Sequence, residues 1–300
     1  MLKIAWTELY AHPLPEGHRF PMEKYELVPH QLLHEGLVSQ VNFFSPDAAC
    51  DENVLQTHTK EYFNHLKNCS LSPKEVRKIG FPLSERLVTR ELQIIQGTLE
   101  CALHAMTHRV AANAAGGTHH AYSGSGEGFC LLNDIAFATN ILIKEQKVRK
   151  VFIVDLDVHQ GNGTAQIFSG RNDVFTFSMH GEKNYPMYKE KSSLDIELPD
   201  GADDSMYLDT LKNELPKAIE KFEPDFVFYQ AGVDILKTDK LGRLGVSREG
   251  CKKRDDFVFQ YCRNNQLPVV FTLGGGYSEK ISDIVEAHAN TFRSACEIFY

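Results

Sequence analysis

The sequence predicts a single α/β domain with a central, mostly parallel β-sheet and helices on both faces. Short apolar runs rich in β-branched and aromatic residues recur along the chain without polar alternation, as in strands covered on both sides. Amphipathic stretches lie between these runs, and such alternation is typical of parallel sheets. The chain contains no repeat or low-complexity linker, so we expect one domain over residues 1–300.

Six apolar runs are the candidate strands: Lys3–Trp6, Arg109–Ala114, Lys150–Asp155, Val174–Ser178, Asp225–Tyr229 and Val269–Leu273. Four amphipathic stretches are the candidate helices: Leu83–His108, Asn133–Lys147, Asp204–Phe222 and Arg248–Asn264. Asn133 or Asp134 is a suitable N-cap for the second helix. The segment Ala11–Gly80 is rich in proline, and we expect loops and short helices packed over one end of the sheet.

The composition excludes several classes of protein. A net charge of −8 argues against a surface for nucleic acid. No apolar run approaches the ~20 residues of a membrane helix, and the first residues lack the long apolar region of a signal peptide. The seven cysteines form no CxxC pair, which is typical of reduced thiols. We therefore expect a cytoplasmic protein that binds neither nucleic acid nor membrane.

Chemically active side chains stand at the ends of four candidate strands. They are His119 and His120 after the second strand, Asp155, Asp157 and His159 at the end of the third, Asp234 after the fifth, and Tyr277 after the sixth. Ligands of open parallel sheets bind outside the carboxyl ends of the strands. We therefore expect these side chains to meet in one pocket.

Asp157, His159 and Asp234 are the candidate metal ligands. Two carboxylates and one imidazole form an open three-ligand site that suits zinc or a similar divalent metal. The alternative is structural, with Asp157 capping a loop and His159 a buried, hydrogen-bonded histidine. Asp155 is expected behind the ligands, where it would orient a neighbouring imidazole, or else cap backbone amides.

The histidine pair and the tyrosine suggest acid–base chemistry beside that metal. A metal-bound water needs a base and a leaving amine needs an acid, and His119 and His120 can share those roles. Tyr277 follows three glycines and can donate a hydrogen bond to a developing oxyanion. The alternatives are that one histidine is a surface residue and that the glycines form a phosphate nest. The sequence GSGEGF at Gly124–Phe129 is a weak nucleotide motif and is expected to form a pocket wall.

The motifs together resemble one known family. GGTHHAYSGSGEGFCLLNDIA, VDLDVHQGNG, AGVDILKTDKLGRLG and LGGGYS are similar to the zinc-dependent histone deacetylase superfamily, and HPLPEGHRFPMEKY, GFPLSERLV and FSMHGEKNYP resemble its bacterial and class IV branch. The resemblance spans essentially the whole chain. It implies the three-layer arginase–deacetylase fold, with a central, mostly parallel sheet of about eight strands and helices on both faces.

The resemblance also implies roles for individual residues. Asp157, His159 and Asp234 match the zinc ligands, and His119, His120 and Tyr277 match the catalytic histidines and the oxyanion-stabilising tyrosine, with His120 as the general base. Asp155 matches the carboxylate behind His119. Zinc is the implied metal, with Fe²⁺ as the alternative in the cell.

A structural potassium ion is implied as well, held by Asp155, Asp157, His159, Ser178 and the carbonyl of Met179. A second, peripheral potassium site would use the carbonyls of Phe168 and Val174. The implied substrate-binding residues are Gly128, Phe129, Tyr185, Gly275 and Gly276. Arg19 resembles the arginine of an internal acetate-release channel, or else forms a surface salt bridge.

Two features depart from the class I pattern. Asn162 stands where those enzymes have a second aspartate behind the base histidine, so His120 is expected to be less basic. The rim-loop aspartate that holds a peptide backbone has no equivalent in NCSLSPKEVRKIGFP, which puts recognition of a histone-like peptide in doubt.

The leading hypothesis is metal-dependent hydrolysis of N-acyl-lysine amides in a protein or peptide. One alternative is an amidohydrolase for acylpolyamines or other small acylated amines, which a narrow, acid-lined entrance would favour. A two-metal ureohydrolase would need further carboxylates, and DLDVH followed by Gln160 lacks them. The last alternative is a non-catalytic acyl-lysine binding protein. The substrate, the acyl length and the oligomeric state stay open.

Overall fold

All strands of the protein belong to one parallel sheet. The computed structural model describes residues 1–300. The strands are β1 (Lys3–Ala5), β2 (Phe43–Phe44), β3 (Val110–Asn113), β4 (Val151–Asp155), β5 (Val174–Gly181), β6 (Leu194–Leu198), β7 (Phe226–Gln230) and β8 (Val269–Thr272). Their order across the sheet is β2-β1-β3-β8-β7-β4-β5-β6, and every neighbouring pair is parallel. The predicted class is confirmed, and the sheet is entirely parallel.

Ten α-helices surround the sheet: α1 (Lys24–His34), α2 (Asp51–Val54), α3 (Lys60–Lys67), α4 (Pro73–Ile79), α5 (Glu85–His108), α6 (Asp134–Lys144), α7 (Asn162–Ile167), α8 (Asp204–Phe222), α9 (Arg248–Asn264) and α10 (Ile281–Phe299). Helix α5 packs against α6, while α1, α10, α9 and α8 pack against one another in that order. Crossovers between parallel strands are right-handed, so connections that run in opposite directions lie on opposite faces. The strand order therefore puts these two helix groups on the two faces.

All six predicted strands and all four predicted helices are present. Strands β2 and β6 were missed because β2 has two residues and β6 is a partly exposed edge strand with polar alternation. Helix α10 was missed too, although it has a buried face and packs against α9. Asn133 is the N-cap of α6, since its Oδ1 accepts a hydrogen bond from the backbone N–H of Ala136 at 3.0 Å.

One core holds the molecule together. A single cluster of 83 buried apolar residues runs from Leu2 to Ala295. Strand β4, VFIVD, is buried at all five positions, as the uninterrupted apolar run predicts for a strand covered on both faces. All seven cysteines are free thiols, and no helix has the length and apolar content to cross a bilayer.

The sheet also fixes where a site can form. Strands β4 and β7 are neighbours, yet the chain leaves β4 toward β5 and leaves β7 toward β8, in opposite directions across the sheet. Such a reversal opens a crevice at the carboxyl ends of the two strands. The segments that follow β4 and β7 therefore face each other across this crevice.

Candidate active site

Three predicted metal ligands meet in the crevice between β4 and β7. Side-chain donor atoms of Asp157, His159 and Asp234 all lie within 4.8 Å of one another, and all three residues are buried. His159 Nδ1 is 3.0 Å from Asp157 Oδ1 and 3.1 Å from Asp234 Oδ2. This is the only such group of histidine, cysteine and acidic side chains in the structure.

The backbone holds the two carboxylates in place. The Val158 N–H donates to Asp234 Oδ1 at 2.9 Å, and the Gly275 N–H donates to Asp157 Oδ2 at 2.7 Å. A Cβ on Gly275 would lie 2.7 Å from Asp234 Cγ, so only glycine lets the chain pass this close. The glycines after β8 thus leave room for the carboxylates.

The electrostatics of these ligands fit a cation. Burial and the neighbouring Asp157 raise the pKa of Asp234 to about 7. Burial lowers the pKa of His159, but hydrogen bonds to Asp157 and Asp234 outweigh it and raise the value to about 10. Two buried carboxylates need a positive charge beside them, which favours a cation at this site. One imidazole nitrogen and carboxylate oxygens are ligands that zinc and related divalent metals accept.

The histidine pair lies beside this cluster because its loop turns sharply. The rings of His119 and His120 are 4.0 Å apart between centroids. Gly116 and Gly117 precede them, both at a φ of +74°, in the left-handed region that favours glycine. A Cβ on Gly117 would lie 2.7 Å from Gly274 Cα, so the loops after β3 and β8 pack backbone to backbone.

The two histidines have different partners and opposite charge preferences. His119 Nδ1 is 2.7 Å from Asp155 Oδ2. Burial opposes the charge on His119, but the carboxylates of Asp155 and Asp157 raise its pKa above the usual value. Burial and the adjacent imidazoles hold the pKa of His120 well below its usual value.

Asn162 fixes the tautomer of His120. His120 Nδ1 lies 2.6 Å from Asn162 Oδ1, an acceptor, so the proton sits on Nδ1 and the lone pair on Nε2. The amide is oriented because Asn162 Nδ2 donates to Glu127 Oε1 at 2.6 Å and to the Tyr122 hydroxyl at 3.0 Å. Asn162 thus stands behind His120, as we expected.

Glu127 is a functional candidate that the sequence analysis missed. It is 4% exposed, accepts hydrogen bonds from Asn162 Nδ2 and the Tyr185 hydroxyl, and forms an ion pair with Lys78. It therefore connects the surroundings of His120 to the pocket wall. Its motif, GSGEGF, indicated only a wall, and nothing in the local pattern pointed to a buried carboxylate.

Tyr277 contributes its side chain to the wall of a cavity beside the metal-ligand candidates. Its ring centroid is 6.3 Å from that of His159, and the side chain is buried. Its backbone N–H donates to Asp239 Oδ2 at 2.6 Å, which anchors the loop after β8. Gly276 adopts a φ of +156°, and a Cβ there would lie 2.6 Å from Val233 Cγ2. The phenol thus lines the same cavity as His120 and His159.

The cavity has a volume of about 300 Å³. Phe129 and Tyr185, two of the residues proposed for substrate binding, line it, and Gly128 packs against the ring of His120, where a Cβ would come within 2.7 Å. A smaller cavity of about 30 Å³ adjoins it, with Gly275 in its wall. We call the outer opening the mouth, and its four charged residues are all basic: Arg19, Lys78, Lys183 and Arg243.

Arg19 is not where the resemblance implied. Its side chain is exposed and its guanidinium lies over the Phe129 ring, 5.0 Å from the centroid, at the mouth. It forms no salt bridge and does not line the smaller internal cavity. The buried cation of this segment is Lys24, whose Nζ donates to the Gly274 carbonyl at 2.8 Å. Burial lowers the pKa of Lys24 to about 8.

Three of the residues expected to hold potassium, Asp155, Ser178 and Met179, lie on the adjacent strands β4 and β5. Ser178 of β5 pairs with Asp155 of β4, and Met179 follows it in the buried part of β5. Ser178 Oγ lies 3.0 Å from His180 Nδ1. Phe168 follows α7, and Val174 begins β5, so the peripheral pair lies toward the amino end of that strand.

Comparison with known proteins identifies the family. The model of the histone deacetylase domain matches residues 18–292. An uncharacterized protein of Picosynechococcus sp. is 41% identical over 290 residues, which are 97% of each chain. Histone deacetylase 2 of Arabidopsis thaliana is 30% identical over 277 residues, covering 89% of this chain and 72% of that protein.

Similarity in structure agrees with similarity in sequence. The crystal structure of the HDA15 HD domain superposes with a TM-score of 0.80 at 19% identity, covering 99% of this chain and 95% of that one. This likeness shows the shared fold. The domain match and the Arabidopsis relative together establish that the chain belongs to the histone deacetylase family.

Proposed function

We propose that the protein is a metal-dependent deacylase that hydrolyses N-acyl-lysine amides. Membership of the histone deacetylase family supports a deacetylase hydrolase. One observation carries the finer proposal. A three-residue cation site, a histidine pair with unequal charge preference and a tyrosine phenol open into a single cavity.

Asp157, His159 and Asp234 would hold zinc, or Fe²⁺ in the cell. Such a cation, when bound, polarises an amide carbonyl and lowers the pKa of a bound water toward ~7. Asp155, Ser178 and the Met179 carbonyl, with Asp157 and His159, are the proposed ligands of a structural potassium ion.

His120 is the proposed general base. Its neutral imidazole keeps a lone pair on Nε2, because Asn162 accepts the proton on Nδ1. His120 takes the proton of the attacking water at Nε2. The carboxylates of Asp155 and Asp157 favour the protonated ring of His119, which is the proposed acid for the leaving amine. The two roles follow from the pKa difference between the histidines.

Tyr277 is the proposed oxyanion donor. Burial raises the pKa of its phenol, so the hydroxyl keeps its proton and donates. Phe129 and Tyr185 would form the two walls around the aliphatic stem of an acyl-lysine. The inner cavity of about 30 Å³ supports a short acyl group.

The alternatives receive less support. An acylpolyamine is cationic, and the mouth carries four basic residues and no acidic one. A two-metal ureohydrolase needs a second ligand cluster, and only one cluster is present. A pure binding protein has no use for the oriented pair of His120 and Asn162.

The test is turnover of N-acyl-lysine peptides, from acetyl to myristoyl, and of acetylated polyamines. The enzyme would be compared as metal-loaded and as chelated protein. We expect chelator-sensitive hydrolysis of short acyl-lysine peptides. Full activity in the chelated protein, or turnover of polyamines alone, would contradict the proposal.

A further inference from the structure

The mouth concentrates positive charge in an acidic protein. The chain has 40 acidic and 32 basic residues, yet the charged residues that line the mouth are Arg19, Lys78, Lys183 and Arg243. They come from four separate segments of the chain. All four residues are exposed, so their charges face the solvent through which a substrate approaches.

Contacts fix these segments around one opening. The Gly128 N–H donates to the Lys78 carbonyl at 3.1 Å, which ties the end of α4 to the Phe129 wall. On the other side, Asn184 Nδ2 donates to the Leu241 carbonyl at 2.8 Å, and the Arg243 N–H donates to Asn184 Oδ1 at 3.3 Å. The cations are therefore held on both walls.

Neighbouring carboxylates neutralise only part of this charge. Lys78 is paired with the buried Glu127. Arg243 and Lys183 share Asp200, at 3.4 Å and 3.9 Å between nitrogen and oxygen. Arg19 has only the Phe129 ring beneath it. Four cations face two carboxylates, which leaves an excess of positive charge around the opening.

This charge lies on the amine side of a bound amide. The scissile carbonyl must reach His120, His159 and Tyr277 at the inner end of the cavity, and the acyl end continues inward. The amine side then extends outward between Phe129 and Tyr185. Whatever the amine carries beyond this stem meets the basic mouth.

We infer that the natural substrate carries carboxylates on the amine side of the scissile amide, and this inference rests on the proposed deacylase function. Two sources supply that chemistry. One is an acyl-lysine with aspartate or glutamate beside it in a peptide, and the other is a single acyl-lysine whose α-carboxylate is free. A cleft of one sign of charge raises the local concentration of the opposite sign, which increases kcat/KM.

The test compares matched acetyl-lysine peptides with the metal-loaded protein. The lysine is flanked by glutamate, glycine or lysine, and free Nε-acetyl-lysine is compared with its carboxamide. Each exposed charge pair contributes a few-fold, so we expect the glutamate peptide to exceed the lysine peptide by about tenfold or more in kcat/KM. Raising NaCl from about 50 mM to about 500 mM should reduce this ratio several-fold. The second source is identified if free Nε-acetyl-lysine exceeds its carboxamide in kcat/KM by a larger factor than the glutamate peptide exceeds the lysine peptide.

Two variants locate the effect. Arg19→Gln and the double variant Lys183→Gln/Arg243→Gln should each lower the glutamate-to-lysine ratio about threefold. Arg149→Gln is the matched control, since Arg149 is exposed and directly precedes the amino end of β4, whereas the cavity lies at the carboxyl ends of the strands. It removes one charge from the protein and should leave the ratio unchanged.

Binding by calorimetry separates this inference from the proposed function. Equal kcat/KM for the glutamate and lysine peptides, or a ratio that the mouth variants leave unchanged, would overturn the inference while deacylase activity stands. Tighter, salt-sensitive binding of the glutamate peptide without hydrolysis would support the basic mouth and overturn the deacylase proposal. A preference for the lysine peptide or for acetylspermidine would overturn the inference directly.

Discussion

The inner end and the mouth of the cavity are built in opposite ways. The inner end is buried and rich in carboxylates, which are fixed by backbone N–H groups and by glycines that leave room for them. The mouth is exposed and cationic, and flexible side chains on four segments supply its charge. Under the proposed function, the inner end would determine which bond reacts, and the mouth would determine which molecules arrive.

The largest effect is expected from Asp234→Asn at the inner end. Loss of a ligand carboxylate should abolish stoichiometric metal binding and lower kcat/KM by about 10⁴-fold or more. Metal content and turnover are measured on the same sample. Asp225→Asn, just before the amino end of the same strand, is the control and should keep both. Full metal occupancy in Asp234→Asn would refute the assignment of this ligand.

Tyr277→Phe should cost less, because it removes one donor and leaves the cation site intact. We expect kcat to fall about 10²–10³-fold with metal content unchanged. Tyr207→Phe provides the comparison, since Tyr207 is a buried tyrosine outside the cavity. Near-normal turnover in Tyr277→Phe would remove the phenol from the mechanism.

Glu127→Gln tests the connection between the two ends of the cavity. Removing this carboxylate takes negative charge away from the surroundings of His120, so the pKa of His120 should fall further. We expect kcat to decrease about tenfold and the acid limb of the pH–rate profile to move to lower pH. A structural defect alone would lower kcat without moving the limb. Glu190→Gln, which removes a carboxylate beside Tyr122, should shift nothing.

The smallest effect on activity is expected from His58→Gln, which tests the support behind the inner end. His58 Nδ1 donates to the Tyr122 carbonyl, and its Nε2 accepts from the Asn133 N–H. Burial lowers the pKa of His58 from 6.5 to about 4, so the fold requires the neutral ring. The unfolded chain takes up a proton below pH 6.5 and the folded protein does not, so stability falls as pH decreases from 6.5 toward 4, by about 3 kcal/mol.

The measurement is the free energy of unfolding of the wild type and His58→Gln by chemical denaturation, at about eight pH values between ~7.5 and ~4. The variant should be less stable at neutral pH by about 1–2 kcal/mol, and the difference should shrink on acidification and reverse near pH 4, because only the wild type loses the stability tied to a neutral His58. His34→Gln, an exposed histidine of α1, should follow the wild type. A difference independent of pH would contradict a neutral His58 in the fold.

The same contrast explains what the sequence could predict. Asp157 and His159 follow one apolar strand at a fixed spacing, so a local pattern predicted them. Asp234 was predicted because the carboxyl ends of parallel strands lie at one edge of the sheet. Glu127 and the exposed position of Arg19 depend on contacts between segments far apart in the chain. Residue spacing does not encode such contacts, so the basic mouth could not be predicted.

The opposite directions in which the chain leaves β4 and β7 have a consequence for how the protein matures. His159 and Asp234 are 75 residues apart in sequence and become neighbours only when both strands have joined the sheet. A nascent or partly unfolded chain therefore offers no complete chelating set. A cation that binds only the assembled form stabilises it by mass action. Metal supply would then act as a checkpoint on assembly, and chelation should make the protein easier for proteases to degrade.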